Sequence, residues 1–513
     1  MLFKALNNRE KREKDSFLLN SHKTKRSQSA LEYMMTYGWA ILIIVIVAVI
    51  LYSMGIFNPS SSITFTSSGF SPFTVSSSLC NNIGYKIAVL AGPIPNNGNS
   101  LTINKVFLTS ATGANTTTAS YTLTNPVTLK SGQSATILIP NVACNSANIH
   151  YSLSAKIQYS YDVPTIGLQT VNTTGTVAGT SITGKPSTLT SYEPITITNT
   201  QSSATPSPFQ QMINFTSSDP GFSSIATGNF GQNVEFFYYN GTIIPSWLEN
   251  YTSTNGLWWL KIAVIPGGSS ETVYVGFAPI SISLFNTVND GEAPQIPCGS
   301  TPTSSCSNYA EYDDGANVFN FYDNFAGTTL NTSKWTATGT YSINNGILIK
   351  NSSSSYLTST DSYGSGVIDF YAQFLGTPHS GGGINSYGGY SNGQQDGRLI
   401  GTFGEDGNCN TVAASTPEFY LVNFQGCPPV NLTQIASFNN NYNVFSVAST
   451  NSEDYGYINY GNAVSSTSDL VSLPYPVGVY VNTAGQSINM QWFRFRAYPP
   501  NGVMPSVSFG SVA

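Results

Sequence analysis

The chain has 513 residues, of which only 9% are charged while 12% are aromatic, a balance that reads as β-rich and extracytoplasmic, with room for about three domains. Eight of the 19 Lys and Arg residues fall within residues 1–27, leaving residues 28–513 with a net charge near −11. That acidity excludes nucleic acid as a partner, because such binding draws its affinity from Lys and Arg neutralising phosphates.

The first element in chain order is apolar. No charged residue occurs between Glu32 and Lys86, and Trp39 to Leu51 is apolar without a break. As a helix, Tyr33 to Phe57 spans roughly 37 Å, enough for a hydrocarbon core of about 30 Å. The basic residues precede it, so the amino terminus is expected in the cytoplasm and everything after Phe57 outside, in a single-pass cell-membrane protein. A cleaved secretory signal has a shorter apolar stretch and a small-residue cleavage site, so this segment reads as a retained helix.

Glu32 at the edge of this run gains nothing from a plain anchor, since a carboxylate entering lipid is costly unless it meets a cation. With its neighbours, Lys25-Arg26-Ser27-Gln28-Ser29-Ala30-Leu31-Glu32-Tyr33 resembles the archaeal class III signal peptide of type IV pilin-like proteins. The resemblance implies a prepilin peptidase-like partner that cuts between Ser27 and Gln28. It also implies that Glu32 pairs with the amino terminus of another pilin-like subunit. Ser27 departs from the Gly or Ala more usual there. Residues 1–27 are thus expected to be a cytoplasmic leader and residues 28–57 a transmembrane, pilin-like helix.

The fold class expected of the remainder is mainly β, as three β-sandwiches. Residues 58–185 form the first. From Ile149 to Tyr159 every odd position is apolar and every even one polar, the pattern of a half-buried strand, which places His150 on the solvated side. Ser131-Gly132 and Asn96-Asn97-Gly98 mark turns.

Residues 186–290 carry Asn240-Gly241 between apolar runs, a type I′ hairpin signal, and a second apparent hairpin from Trp258 through Gly267-Gly268 to Phe277. The stretches "ITITN", "VEFFYYNGTIIPSWLE" and "LWWLKIAVIPGGSSETVYVGF" resemble the family catalogued as domain of unknown function 2341, found in prokaryotic surface proteins. That family implies an address and an architecture, not a chemistry.

A Pro-rich linker, residues 291–311, leads to "YDDGANVFNFYDNFAGTTLNTSKWTATGTYSINNGILIKN". With the closing "INMQWFRFRAYPPNGVMPSVSFG", this resembles the concanavalin-like (laminin-G-type) jelly rolls, and implies one such domain over residues 312–513. That fold hosts lectins and glycoside hydrolases alike. Its hydrolases use a Glu-x-Asp-x-x-Glu strand; the nearest segment here, Val367 to Gln373, has Asp369 as its one acid. Hydrolysis needs two carboxyls facing each other, so adhesion rather than catalysis is expected.

Trp492, Arg494 and Arg496 share one strand face, Phe493 and Phe495 the other. The first three are the candidate glycan-binding residues, as an exposed aromatic–Arg platform, weighed against burial with internal arginine pairing. The Gly-rich run 379–397 reads as a loop. Asp313, Asp314 and Asp323 offer oxygens to calcium, the one cofactor weighed, but read more readily as solvated turn residues.

Six cysteines follow the apolar segment, and their simplest pairing is local: Cys80–Cys144, Cys298–Cys306 and Cys409–Cys427, with other connectivities open. No CxxC occurs, so zinc is not indicated. Eight Asn-x-Ser/Thr sequons permit glycosylation without arguing for it. The whole reads as a membrane-anchored archaeal surface protein, pilin-like or adhesin, whose lectin-like module binds a glycan or cell surface. The alternatives are an anchored glycoside hydrolase and a purely structural stalk.

Overall fold

The computed structural model describes residues 41–43, 45 and 65–513, apart from internal segments 96–97, 115–118, 141, 145, 165, 300–305, 345, 352–354, 377–383, 392–396, 404–417, 425–430, 468–471 and 482–484. Ile41, Leu42, Ile43 and Val45 are helical and exposed. Among the described residues no helix is long and apolar enough to cross a membrane. Ser27, Gln28, Glu32, Cys409 and Cys427 lie outside the described residues. The chain divides into two compact units, meeting at Ile182/Thr183.

The first unit is built from β1 (Thr66–Gly69), β2 (Phe73–Cys80), β3 (Tyr85–Ala91), β4 (Leu101–Thr112), β5 (Ala119–Leu129), β6 (Ser134–Ile139), β7 (His150–Val163) and β8 (Gly167–Thr180). They form a five-stranded sheet, β1-β8-β7-β4-β5, and a three-stranded sheet, β2-β3-β6. The period-two pattern in β7 acts as expected: Tyr151, Leu153, Ala155, Ile157 and Tyr159 enter the core, while His150 is exposed. Cys80 and Cys144 are bonded, closing a span of 64 residues between the end of β2 and the loop after β6. Such a loop stabilises the fold by about 4 kcal/mol in the chain-entropy account.

The second unit begins with β9 (Ser191–Asn199), β10 (Phe209–Thr216), β11 (Val234–Tyr238), β12 (Ser246–Tyr251), β13 (Asn255–Ile262), β14 (Ser269–Phe277) and β15 (Asp290–Glu292). Asn240-Gly241 does turn the chain tightly, with Gly241 at φ +80° and its N–H donating to Tyr238, but the returning strand is reduced to a Phe237–Ile243 bridge. The second expected hairpin is a correction. β13 pairs with β10 and β12, whereas β14 pairs with β9 and β11 in the opposite sheet. The true hairpin is β12–β13, and the Gly267-Gly268 turn carries the chain across the sandwich. Alternation explains the outcome: Ile213, Leu248, Trp258 and Leu260 from one sheet and Val273, Val275 and Phe277 from the other must all face the same core.

The remaining strands are β16 (Phe321–Asp323), β17 (Trp335–Ala337), β18 (Tyr341–Asn344), β19 (Ile347–Lys350), β20 (Ser355–Tyr363), β21 (Gly366–Leu375), β22 (Ile384–Ser391), β23 (Gly397–Phe403), β24 (Glu418–Phe424), β25 (Asn431–Ser437), β26 (Asn443–Ser449), β27 (Asp454–Ile458), β28 (Val464–Ser466), β29 (Tyr475–Val481), β30 (Ser487–Ala497) and β31 (Ser506–Phe509). A sheet ordered β18-β19-β30-β21-β26-β27-β28, with β16 also on β30, faces a second ordered β17-β20-β29-β22-β23-β24-β25. Their shared core includes Phe370, Phe374, Phe445, Phe493 and Phe495. This is a jelly-roll sandwich, opened by the β18–β19 hairpin, Asn344 opposite Ile347, with Gly346 at φ +81°.

Two further expectations are corrected. Part of the Gly-rich run is strand β22, not loop; Gly388 there leaves room for the Phe370 ring, which a Cβ would meet at 2.5 Å. The jelly roll also does not extend to residue 513. β31 leaves it and pairs antiparallel with β9, Ser506 opposite Thr198 and Phe509 opposite Ile195. Phe509 stands edge-on to Phe215 with ring centroids 4.6 Å apart. The jelly roll is therefore an insertion into the second sandwich, whose sheet closes only after it.

Candidate functional site

The two sandwiches of the second unit meet along the outer faces of β10-β13-β12 and of β30-β21-β26-β27. Consecutive strand residues point to opposite faces, so Trp258 enters the sandwich core and Trp259 the junction, just as Leu248 and Trp247 divide on the neighbouring strand. From the jelly roll come Trp492, Arg494 and Arg496 on β30 and Asp369 and Tyr371 on β21.

The open platform expected of Trp492, Arg494 and Arg496 is not open. They are 0%, 0% and 2% exposed, because the second sandwich covers the face that Phe493 and Phe495 leave free. Arg494 Nε donates to Asp369 Oδ2 at 2.9 Å, and its Nη2 donates to the Tyr460 hydroxyl at 2.6 Å and to Glu249 Oε2 at 2.8 Å. Arg496 Nε donates to Asp369 Oδ2 at 2.7 Å, and its Nη2 to the Tyr457 hydroxyl at 2.9 Å. Four rings, those of Trp247, Trp259, Phe319 and Trp492, surround the Arg494 guanidinium at 4.4–5.2 Å. Burial works against the Arg494 charge, but Tyr460, Glu249 and Asp369 together raise its pKa above the ordinary arginine value. Burial likewise pushes Asp369 up, and Arg496 and Arg494 overcome it, holding the carboxyl below its usual range.

Glu249, on a bulge of β12, is the acid that this network adds and that sequence reasoning missed. Its Oε2 accepts from Trp259 Nε1 at 2.7 Å as well as from Arg494 and Tyr460. One signal existed: in a chain 9% charged, a glutamate between tryptophan-bearing strands needs a buried cation.

Around Glu249 the junction opens into two cavities of about 410 Å³ each. They share Glu249, Asn250, Tyr251 and Val444, and so are two lobes of one cleft. One lobe is lined by Asn214, Asn255, Asn459 and Tyr460. The other is lined by Gln295, Ile296, Tyr371 and Trp492. Tyr251 is 39% exposed and stacks on Phe230 at 4.7 Å, presenting an aromatic face at the cleft's edge. Tyr371 is half-buried and stacks on Trp492 at 5.7 Å; burial, with Tyr442 and Glu249 nearby, pushes its hydroxyl up to about 12. The Cys298–Cys306 disulfide, the second expected pair described, clamps the loop that starts at Gln295.

Asp313, Asp314 and Asp323 are not solvated turn residues. Asp313 accepts from Trp247 Nε1, the Gly315 N–H, the Tyr322 hydroxyl and Asn324 Nδ2, so its lone pairs are taken. Asp323 accepts from the Phe325 N–H and Trp335 Nε1. Asp314 is 1% exposed, and neither of its carboxyl oxygens has a hydrogen-bond partner. Among the described residues no group of three or more His, Cys, Asp or Glu side chains is arranged to hold a metal ion. Among the described residues, Asp314, Asp290 and Glu292 have no ion-pair partner. Burial first, then Asp313 and Asp290, pushes Asp314 up to about 9. Burial and Glu235 push Asp290, and burial with Glu311 and Asp313 pushes Glu292, each up to about 8.

No protein-family model matches the chain. A 135-residue stretch is 36% identical to "Uncharacterized protein 562" of Sulfolobus islandicus rod-shaped virus 1, covering 25% of this chain and 21% of that protein. The chain thus spans about a fifth of the curated relative it matches. Among solved structures, the Bacillus licheniformis β-glucanase is similar at 12% identity and TM-score 0.25, over 34% of this chain and 97% of that one. A β-1,3-glucanase from Mycobacterium marinum is similar at 12% identity and TM-score 0.26, over 34% and 98%. A legume lectin-like domain from Entamoeba histolytica is similar at 12% identity and TM-score 0.24, over 32% and 90%. By its own sheet order the described part of the chain is mainly β and multi-sandwich, and its second unit carries a jelly roll. Nothing about chemistry follows from likenesses at this level.

Proposed function

We propose that this chain is a cell-surface carbohydrate-binding protein that holds glycan in the cleft between its second sandwich and its jelly roll. The carrying observation is the two-lobed cleft itself: aromatic faces, asparagine and glutamine amides and phenol hydroxyls, in lobes within the usual range of about 300–1,000 Å³ for ligand pockets. Such a lining suits a ligand with apolar ring faces and many hydroxyls.

Hydrolysis is the competing reading, since two of the structures named above are glucanases. It requires one carboxyl free to give a proton and a second facing it. Asp369 is sealed between two arginines, and Glu249, the acid lining both lobes, is taken up by Arg494, Tyr460 and Trp259. Binding without turnover is the reading that this arrangement favours. A glycan array probed with the full chain, run beside an oligosaccharide hydrolysis assay, tests it. Binding with no turnover is expected; turnover overturns the reading in favour of the anchored hydrolase, and silence in both leaves a structural stalk.

The anchor belongs to the same proposal. Residues 28–57, with Glu32 five positions beyond the Ser27–Gln28 junction, supply a pilin-like membrane helix with the bulk of the chain outside. A prepilin peptidase-like enzyme and other pilin-like subunits are the partners this implies. Intact-mass analysis of the native protein is expected to find a chain beginning at Gln28. Retention of Met1 removes the pilin-like part and leaves an anchor alone.

A further inference from the structure

The five-stranded sheet of the first unit ends in β5 on one side and in β8, partly covered by β1, on the other. The two edges are built differently. β5 carries Pro126, and its ladder with β4 is interrupted by a register shift at Ile103/Lys105; both features stop an edge from recruiting another strand. β8 has neither. It pairs with β7 along its whole length, from Gly167 to Thr180, whereas β1 covers its other side only from Gly175 to Ala178. β1 stops there because Phe70, at φ +69°, takes the chain off the edge and lays its ring 2.3 Å from where a Cβ on Gly175 would stand. The Phe70 N–H donates to the Thr174 carbonyl at 2.9 Å, the last bond on that side. In an antiparallel ladder alternate residues turn their N–H and C=O groups to the same side. Thr174 faces β1, so Asn172, Thr170 and Leu168 face the same way, and among the described residues no strand pairs with them there. All three are exposed. Leu168 and Ile166, at the β7–β8 turn, are each 71% exposed, more than any other large apolar side chain described. No charged residue occurs from Val163 to Gly184.

We propose that this open edge is an interface between two copies of the chain, β8 adding antiparallel to β8 of the second copy about a two-fold axis at Thr170. The pairing sets Thr170 opposite its own counterpart and Leu168 opposite Asn172 on either side, with about six main-chain hydrogen bonds in all. Charge favours a second copy as the occupant. A two-fold contact brings each side chain near its own counterpart, so a charged edge repels itself, whereas this one is uncharged and sets Thr against Thr, a favoured cross-strand pair. Length fits as well. The open stretch ends at the Gly167 turn on one side and at β1 on the other, with Thr170 at its middle, so each turn comes to rest where the other copy's β1 leaves off. Leu168 then gains a cross-strand neighbour instead of standing in water. The interface lies apart from the cleft and does not depend on the glycan-binding reading.

The test uses the full chain in detergent micelles. Light scattering after gel filtration is expected to give the protein mass of two chains for wild type and of one for Thr170→Lys, which sets two ammonium groups against each other at the axis. Because Thr170 is exposed, the variant is expected to keep the wild-type melting temperature, which separates loss of pairing from loss of fold. Thr170→Cys locates the axis. Hydrogen-bonded pairs stand about 5.5 Å apart between Cα atoms, inside the span of about 4.4–6.8 Å that a disulfide bridges. Mild oxidation of that variant is expected to yield a covalent dimer, and Thr128→Cys, exposed on the β5 edge, to yield none. A monomeric wild type, with or without sugar on the Asn172-Thr173-Thr174 sequon, overturns the interface. So does a dimer that Thr170→Lys leaves intact, since another surface then holds it, and so does equal crosslinking at the two edges.

Discussion

Glu249 and Arg494 meet across the junction of the two sandwiches, Arg494 Nη2 donating to Glu249 Oε2 at 2.8 Å with both side chains almost wholly buried. The pair joins residues 245 positions apart and, with Asp369, makes the inserted jelly roll and its host a single packed body. Breaking a buried pair from one side costs about 3–5 kcal/mol, because the charge left behind has lost its counter-charge. Arg494→Leu is therefore expected to lower the melting temperature of the second unit by about 10 °C, as calorimetry of wild type and variant would show. An unchanged melting temperature contradicts the assigned role.

Asp290, Glu292 and Asp314 give the fold a pH dependence of unusual sign. Their pKa values lie near 8, 8 and 9 in the fold, well above those of unfolded carboxyls near 4. The folded state thus holds protons that the unfolded state has released. Their stabilisation is complete below pH 4 and is lost as pH climbs through 8 to 9, by up to about 1.4 kcal/mol per pH unit for each carboxyl still protonated. Melting temperature is expected to be highest on the acid side and to fall towards pH 9. Asp314→Asn, which cannot ionise, is expected to flatten that fall; an identical pH profile in the variant contradicts the account.

The two described disulfides differ in reach. Cys80–Cys144 closes a span of 64 residues in the first unit and Cys298–Cys306 one of 8, worth about 4 and about 2.5 kcal/mol by loop entropy. Replacing Cys80 and Cys144 by Ser is expected to destabilise the first unit strongly. Replacing Cys298 and Cys306 is expected to act locally, weakening glycan binding several-fold by loosening Gln295 with little change in melting. Differential scanning calorimetry beside a binding titration separates the two effects.

Strand β31 is short, yet it closes the second sandwich. A chain ending at residue 502 loses Val507 and Phe509 from that core and leaves β9 as an open edge bearing Ile195 and Ile197. An exposed apolar edge invites pairing with other chains. Size-exclusion chromatography of the truncated chain is expected to show aggregation, and limited proteolysis to cut within residues 183–290. A monodisperse, protease-resistant product would mean that β31 is dispensable.

How much of this could be read from the sequence follows from the range of the interactions. Local patterns carried well: the β7 alternation from Ile149 and the two described nearest-neighbour cysteine pairs are encoded within a few residues or by one simple rule. Sheet membership did not. Gly267-Gly268 states that the chain reverses but not whether it returns to its own sheet, which the shared core of Trp258 and Val275 decides. The closing strand resembled the end of a jelly roll because β30 is one, and nothing near Phe509 says that its partner is Ile195. The cleft was least legible of all. Its walls come from residues 212–299 and 371–492, and its lining follows from a docking that no single segment describes.

The most direct test of the central claim is a calorimetric titration of the full chain with the neutral glycan that scores highest on an array, wild type against Tyr371→Ala. Saturable binding that the substitution weakens tenfold or more, with no hydrolysis of the ligand, is the predicted result. Equal affinity in the two chains, or release of reducing ends, contradicts a binding cleft at the junction of the sandwiches.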